Sequence, residues 1–372
     1  MYIFNLFLIF YTFHACSPLS QNTSYQKEKV LPTNQKTISI ACVLNSQKSL
    51  AHEHNIRQMI RYGLDYGLDQ NVQVSIADYD LNEGVEVIME RVIKNNTDII
   101  LGPMLSDDTR SVAAFAIKYS IPVLSFSNDV SIITPNTYVF GHSPLQQTER
   151  IIQYLSKKDI RNFILLLPEN RKAIHLKKIV TDMLVQKGLV LVKVEHYIQT
   201  PEDVARAVSD IAETVDRLND NPENTSKPAI YLFDEPENIP LIFDVLRQNF
   251  LDTKAVVCGE NKIDIEYLKP INITFTGSLN NLDTEKFNKN FQVNNLNFWD
   301  KMAFDLGLIT GYALSSTSFS RKDFLDKLNN SQGFNAMGGI VAFDNHVACR
   351  IYDIIERKTF TYHIVDLERP KL

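Results

Sequence analysis

The stretch Ile99-Ile-Leu-Gly-Pro-Met-Leu-Ser-Asp-Asp-Thr-Arg-Ser111 decides how this chain is read. An apolar run, Ile99 to Leu101, stops at Gly102-Pro103, and a polar loop follows, Ser106-Asp107-Asp108-Thr109. Val112, Phe115, Ala116 and Tyr119 then recur at i, i+3, i+4 and i+7, the spacing of one helix face. A second apolar strand, Ile121-Pro-Val-Leu-Ser-Phe126, ends in another polar loop, Ser127-Asn128-Asp129. The order strand, loop, helix, strand, loop brings two neighbouring parallel strands to one sheet edge. In open α/β sheets that edge is where ligands bind. A helix N-terminus there offers free N–H groups and a positive dipole end to an anion.

The same alternation extends outward. On the N-terminal side, strand patterns at Thr37 to Leu44 and Val72 to Ala77 alternate with two helices. The first of these, through Ile56, Met59, Ile60, Gly63, Leu64 and Gly67, places small glycines on its packed face. On the C-terminal side, Tyr138 to Gly141 closes the first unit and the pattern restarts after Pro144. Strands over Phe163 to Leu167, Leu189 to Val194, Ala229 to Phe233 and Ala255 to Val257 are separated by helices, one opened by Thr200-Pro201. The fold class is therefore α/β, with two Rossmann-like lobes built on parallel sheets. Beyond 274 no third unit begins. Phe298 to Ser315 and Arg321 to Leu328 read as helices, and Ile340 to Phe343, Cys349 to Ile355 and Thr359 to Val365 as strands. These elements are expected to complete the two lobes: 37–143 by about 275–332, and 144–274 by about 333–372.

At 372 residues the chain exceeds one typical core. Its 44% hydrophobic and 22% charged residues are those of a folded globular protein. A net charge of −6, with both signs interleaved, argues against a nucleic-acid partner, which needs a basic face. Tyr2 to Phe13 is almost wholly apolar and too short for a membrane span, so residues 1–15 read as a signal peptide. Cys16, after Ala15, is similar to the acceptor cysteine of a bacterial lipoprotein, with 16–36 as a flexible tether; a signal cut elsewhere is the alternative. Cys42, Cys258 and Cys349 sit in strand-like runs and are expected to be buried free thiols. No cysteine pair has metal spacing, and no metal or cofactor is expected.

Ile99-Ile-Leu-Gly-Pro103, Ile121-Pro-Val-Leu-Ser125 and Tyr138-Val-Phe-Gly-His142 resemble the type I periplasmic-binding-protein family, in its leucine/isoleucine/valine-binding branch. Leu124-Ser-Phe-Ser-Asn-Asp129 and Gly338-Gly-Ile-Val-Ala-Phe-Asp344 are most similar to penicillin-binding protein activator lipoproteins of alphaproteobacteria. The resemblance spans about Thr37 to Asp366. It implies two lobes joined by three crossovers, near 142–146, 274–280 and 332–338. It also implies a ligand cleft in which Ser106, Asp108 and Thr109, Ser127, Asn128 and Asp129, and Glu260 of the second lobe are the candidate contacts. An aromatic cover usually follows the 163–168 strand in that family; Glu169-Asn170-Arg171-Lys172 stands there, which speaks against a free amino acid.

Each candidate also has a plainer role. Asp107 and Asp108 suit a helix start, and Asp129 suits an Asx-turn. Asp234-Glu235-Pro-Glu237 follows a strand end, where loop solvation explains the charge. Trp299 and most Tyr and Phe residues fall at core spacing. There is no nucleophile elbow, Walker loop or Gly-x-Gly-x-x-Gly, and no catalytic constellation. The expected protein is a non-catalytic, periplasm-facing lipoprotein, lipid-anchored to a membrane. The resemblance implies an accessory of a peptidoglycan synthase. The alternative is the receptor of an ABC importer, with a small-molecule ligand and an ABC permease as partners.

Overall fold

Two glycine pairs lock the first lobe together. Helix α1 (Glu53–Gly67) lies against α9 (Phe298–Leu314) so closely that a Cβ on Gly63 would stand 2.0 Å from the Phe304 carbonyl oxygen. Reciprocally, a Cβ on Gly307 would stand 2.0 Å from the Ile60 carbonyl oxygen. Gly67 and Gly311 repeat the contact one turn further on. Glycine permits that approach because it has no side chain. Helix α9 is apolar nearly all round, as a helix surrounded by core must be.

The computed structural model describes residues 37–46, 53–263, 265, 269–277, 296, 298–314, 319–329 and 332–366. The leader, Cys16 and the tether lie outside them. The first sheet runs β11-β12-β13-β5-β4-β3-β1-β2. Its parallel part is β1 (Ile38–Leu44), β2 (Val74–Asp80), β3 (Ile99–Leu101), β4 (Val123–Ser125) and β5 (Thr137–Val139). The later strand β13 (Val347–Arg350) joins β5 in parallel, and β12 (Gly339–Asp344) and β11 (Phe334–Ala336) follow antiparallel. The second sheet runs β15-β14-β10-β9-β8-β6-β7. Here β6 (Asn162–Pro168), β7 (Val190–Tyr197), β8 (Ala229–Leu232), β9 (Val256–Gly259) and β10 (Ile273–Gly277) are parallel. The strands β14 (Asp353–Lys358) and β15 (Thr361–Asp366) close the edge antiparallel. Central strands such as β8, and β6 beyond Asn162, are buried and read as apolar runs, because helices cover both faces.

Three connections pass between the lobes. The first is the short turn 140–143 between β5 and helix α4 (Pro144–Lys157), whose N-cap is Ser143. The second leaves β10 and returns at α9. The third corrects the expectation. It lies at Ile351–Tyr352, between β13 and β14, and not near 332–338. Residues 334–350 therefore complete the first lobe, and the second lobe is completed by β10, β14 and β15. The physical reason is Asp305, wholly buried on α9. Its carboxylate accepts from the Met337 N–H (2.6 Å) and the Gly338 N–H (2.8 Å), which holds that turn on the first lobe. Arg350 then donates to the carbonyls of Phe140 (2.7 Å) and Gly141 (3.3 Å), fixing the end of β13 beside the first connection. The run Cys349 to Ile355, expected as one strand, is thus two strands of different sheets.

Candidate functional site

The strand ends and helix starts of the two lobes face each other across a cavity of about 510 Å³. Helix α3 (Ser106–Lys118) begins at its edge, so Ser106 to Thr109, expected as a loop, forms the first helical turn. The N-cap position, Leu105, has no side-chain oxygen to offer. Ser106 Oγ lies 2.9 Å from Ser127 Oγ, and both residues line the cavity. Met104, Leu105, Phe126, Phe298, Trp299 and Met302 supply the apolar wall of the first lobe. Across the cavity, helix α5 (Arg171–Gln186), capped by Asn170, contributes Lys172, His175, Leu176 and Ile179. The loops after β8 and β9 add Phe233, Glu235, Glu237, Glu260 and Lys262.

The seven expected residues separate into two groups. Ser106, Ser127, Asn128 and Glu260 line the cavity. Asp108, Thr109 and Asp129 do not. Asp108 is turned to Asn45, whose Nδ2 lies 3.4 Å from its Oδ2. Thr109, wholly buried, donates to the Leu105 carbonyl at 2.8 Å and sits 2.7 Å from Ser125 Oγ. Asp129 accepts from the Ser131 N–H at 2.9 Å and lies 3.6 Å from Arg110, which is an Asx-turn and a surface ion pair. These three hydroxyl and carboxyl groups shape the loops that carry Ser106 and Ser127.

Glu260 is 3% exposed, and its Oε1 has no hydrogen-bond partner. Burial pushes its carboxyl up to about 7, with Lys262 and Lys172 opposing and Glu235 adding. Glu235 is the reverse case. Burial alone would raise it, but Lys262 Nζ at 2.8 Å and Lys172 Nζ at 2.7 Å hold it below the usual carboxylate range. The two lysines of the wall are therefore committed to Glu235. Asp234 is not part of the site. It is buried, and it accepts from Tyr197 Oη (2.7 Å), Asn238 Nδ2 and the Glu235 N–H.

His142 forms part of the floor. Its Nδ1 lies 2.9 Å from Tyr352 Oη and 3.1 Å from Asn261 Nδ2. Burial, with Arg350 and Lys262 nearby, pulls the imidazole well below its ordinary value, so it is neutral at pH 7. Trp299, expected in the core, is half-buried and lines the cavity with Phe298 and Phe233. The aromatic surface missing after β6 is thus supplied from α9 and from the loop after β8. Among the described residues no group of side chains could hold a metal ion, and no helix is long and apolar enough to cross a membrane. Cys42 and Cys258 are buried, whereas Cys349 is partly exposed, which corrects the expectation for that residue.

No family model matches the sequence. A protein of Rickettsia prowazekii (strain Madrid E), described as uncharacterized protein RP748, is 31% identical over 334 residues, covering 89% of both chains. The chain belongs to the family of that rickettsial protein. Two of the solved structures that share its fold illustrate the likeness. One is a branched-chain amino acid ABC transporter periplasmic ligand-binding protein from Burkholderia xenovorans LB400, with a TM-score of 0.71 and 11% identity over 90% of this chain and 96% of that one. The other is the branched-chain amino acid transporter substrate-binding protein LivJ from Streptococcus pneumoniae in complex with isoleucine. Its TM-score is 0.64, with 15% identity over 90% of this chain and 100% of that one. The fold is that of the type I periplasmic binding proteins: two α/β lobes with mostly parallel sheets.

Proposed function

We propose that this protein is a non-catalytic receptor that takes one small ligand between its lobes, on the periplasmic side of the cell envelope. The observation that carries the reading is Glu260. A carboxyl 97% removed from solvent, with an oxygen left unpaired at the cavity, is costly unless something arrives to meet it. A volume near 510 Å³ lies within the range of small-molecule sites. The apolar walls suit a hydrophobic body, and Glu260 suits an ammonium or another donor at its end. Ser106, at the start of α3, and Ser127, in the loop after β4, suit an acceptor at the opposite end. A hydrophobic amino acid or a related amine fits all three features. The isoleucine held by LivJ from S. pneumoniae is a ligand of this kind.

The receptor reading implies a permease as partner and places the chain outside the cytoplasm, held through lipid on Cys16. The accessory of a peptidoglycan synthase is the alternative; it rests on the stretches 124–129 and 338–344 and would not require a filled cavity. Native mass spectrometry of the purified protein, followed by calorimetry with L-isoleucine, L-leucine and L-phenylalanine, separates the two. The receptor reading expects a co-purifying small molecule, or a Kd tighter than about 100 μM for one of the three, lost in Glu260→Gln. An empty protein with no response to any of them would remove it in favour of the accessory role.

A further inference from the structure

We propose that His142 is a positioning residue that sets the angle between the lobes at the floor of the cavity; its bearing on function rests on the reading of the cleft as a ligand site. The residue sits on the first connection, and contacts from the two others meet at its ring. Tyr352, on the third connection, reaches Nδ1 with its hydroxyl at 2.9 Å. Phe298, the first residue of α9 where the second connection returns, packs on the imidazole with ring centroids 5.0 Å apart. The two lobes also hold it separately. Asn128 of the first lobe donates from Nδ2 to the His142 carbonyl at 3.1 Å. Asn261 of the second lobe stands with Nδ2 3.1 Å from Nδ1.

A rotation of one lobe against the other cannot preserve this set. Asn261 moves with the second lobe, and Asn128 and Phe298 move with the first. Either the Asn261 contact breaks and leaves a buried ring nitrogen less satisfied, or the imidazole follows and leaves Phe298. Gln146 of α4 also crosses, its Oε1 accepting from the Arg350 N–H at 3.3 Å, but two other neighbouring side-chain ties do not. Gln147, also at the cavity, accepts from the Asn261 N–H (2.9 Å) and from Thr276 Oγ1 (2.8 Å), both inside the second lobe, so rotation leaves them whole. Arg350 binds carbonyls at the end of β5, beside its own strand in the first sheet. The neutral imidazole is compatible with this geometry: with Asn261 Nδ2 turned to Nδ1 the ring accepts there and carries its proton on Nε2.

The test measures lobe separation in the full chain with no ligand added. Spin labels are carried on ketone-bearing residues introduced at Glu90 and Asp182, exposed positions on opposite lobes. Double electron–electron resonance then reads the distance distribution. The expected result is a distribution about twofold broader in His142→Leu than in wild type. Tyr352→Phe, which deletes one oxygen, and Asn261→Leu should each broaden it less, and neither should add to His142→Leu. Tyr352→Phe keeps the test decisive should His142→Leu fail to fold. Unchanged distributions in the variants would overturn the proposal. Because no ligand is present, that failure would leave the calorimetric test of the cleft untouched, and the reverse also holds.

Discussion

Glu260→Gln should make the protein more stable while disabling its cleft, and the size of the gain follows from burial. The carboxyl is ordinarily half-protonated at 4.5, and in the folded protein at about 7. Below pH 4.5 it is neutral in both the folded and the unfolded chain and contributes nothing. Between 4.5 and 7 the folded protein holds a proton that the unfolded chain gives up, so stability falls as pH rises. Above 7 the loss is complete. At about 1.4 kcal/mol per pH unit, it amounts to about 3 kcal/mol. No discount for solvent is due, because the side chain is 3% exposed. Glutamine has nearly the same shape and no charge to desolvate. Urea titrations of both proteins at pH 4.5, 6, 7 and 8 should give no difference at the first and about 3 kcal/mol in favour of the variant at the last. A difference that does not change with pH, or a variant less stable than wild type at pH 8, would refute the claim that Glu260 is an uncompensated buried acid.

Two further outcomes concern packing and thiols. Gly307→Ala puts a Cβ where the Ile60 carbonyl now stands, so α1 and α9 must separate; a loss of about 3 kcal/mol of unfolding free energy, read by urea titration, is expected, and no loss would show that the helices can part freely. Iodoacetamide should modify Cys349 in the folded protein well before Cys42 or Cys258, whose thiols are buried, with that of Cys258 also raised by desolvation; peptide mass spectrometry showing equal rates would contradict this.

The strand and helix periods of 37–257 were legible because each element carries its own face: β3, α3 and β4 follow the apolar spacing with little help from the rest of the chain. What was not legible was membership. Nothing local in Cys349 to Ile355 says that the chain leaves one sheet at Arg350 and enters another at Asp353. That break depends on Arg350 reaching the carbonyls of Phe140 and Gly141, more than two hundred residues earlier. The same limit applies to the site. Ser106, Ser127, Asn128 and Glu260 follow strand ends, so the edge rule finds them. Glu235 also follows a strand end and was readable on the same ground, but a loop charge looks the same in sequence whether it meets water or two lysines. Trp299 stands on a helix that is apolar nearly all round, so its spacing does not distinguish a residue facing the core from one facing a cavity.

The charges of the second-lobe wall show where stability is given up. Lys172 and Lys262 both stand close enough to lower the Glu260 carboxyl, yet their hydrogen bonds go to Glu235. If either ammonium turned to Glu260, the buried acid would be paired and its desolvation largely offset. Instead Glu235, at the more exposed edge, holds both, and Glu260 stays alone beneath them. The cost is carried by a scaffold that does not depend on the cleft: the interlocked glycines of α1 and α9, and the buried strands of two sheets. Placing the only orphaned carboxyl oxygen among the cavity-lining residues that are described keeps that cost at the one place where an incoming donor can remove it. A donor that pairs with Glu260 therefore gains the contact and also relieves a penalty the empty protein already carries. The unpaired acid is in this sense part of the binding energy.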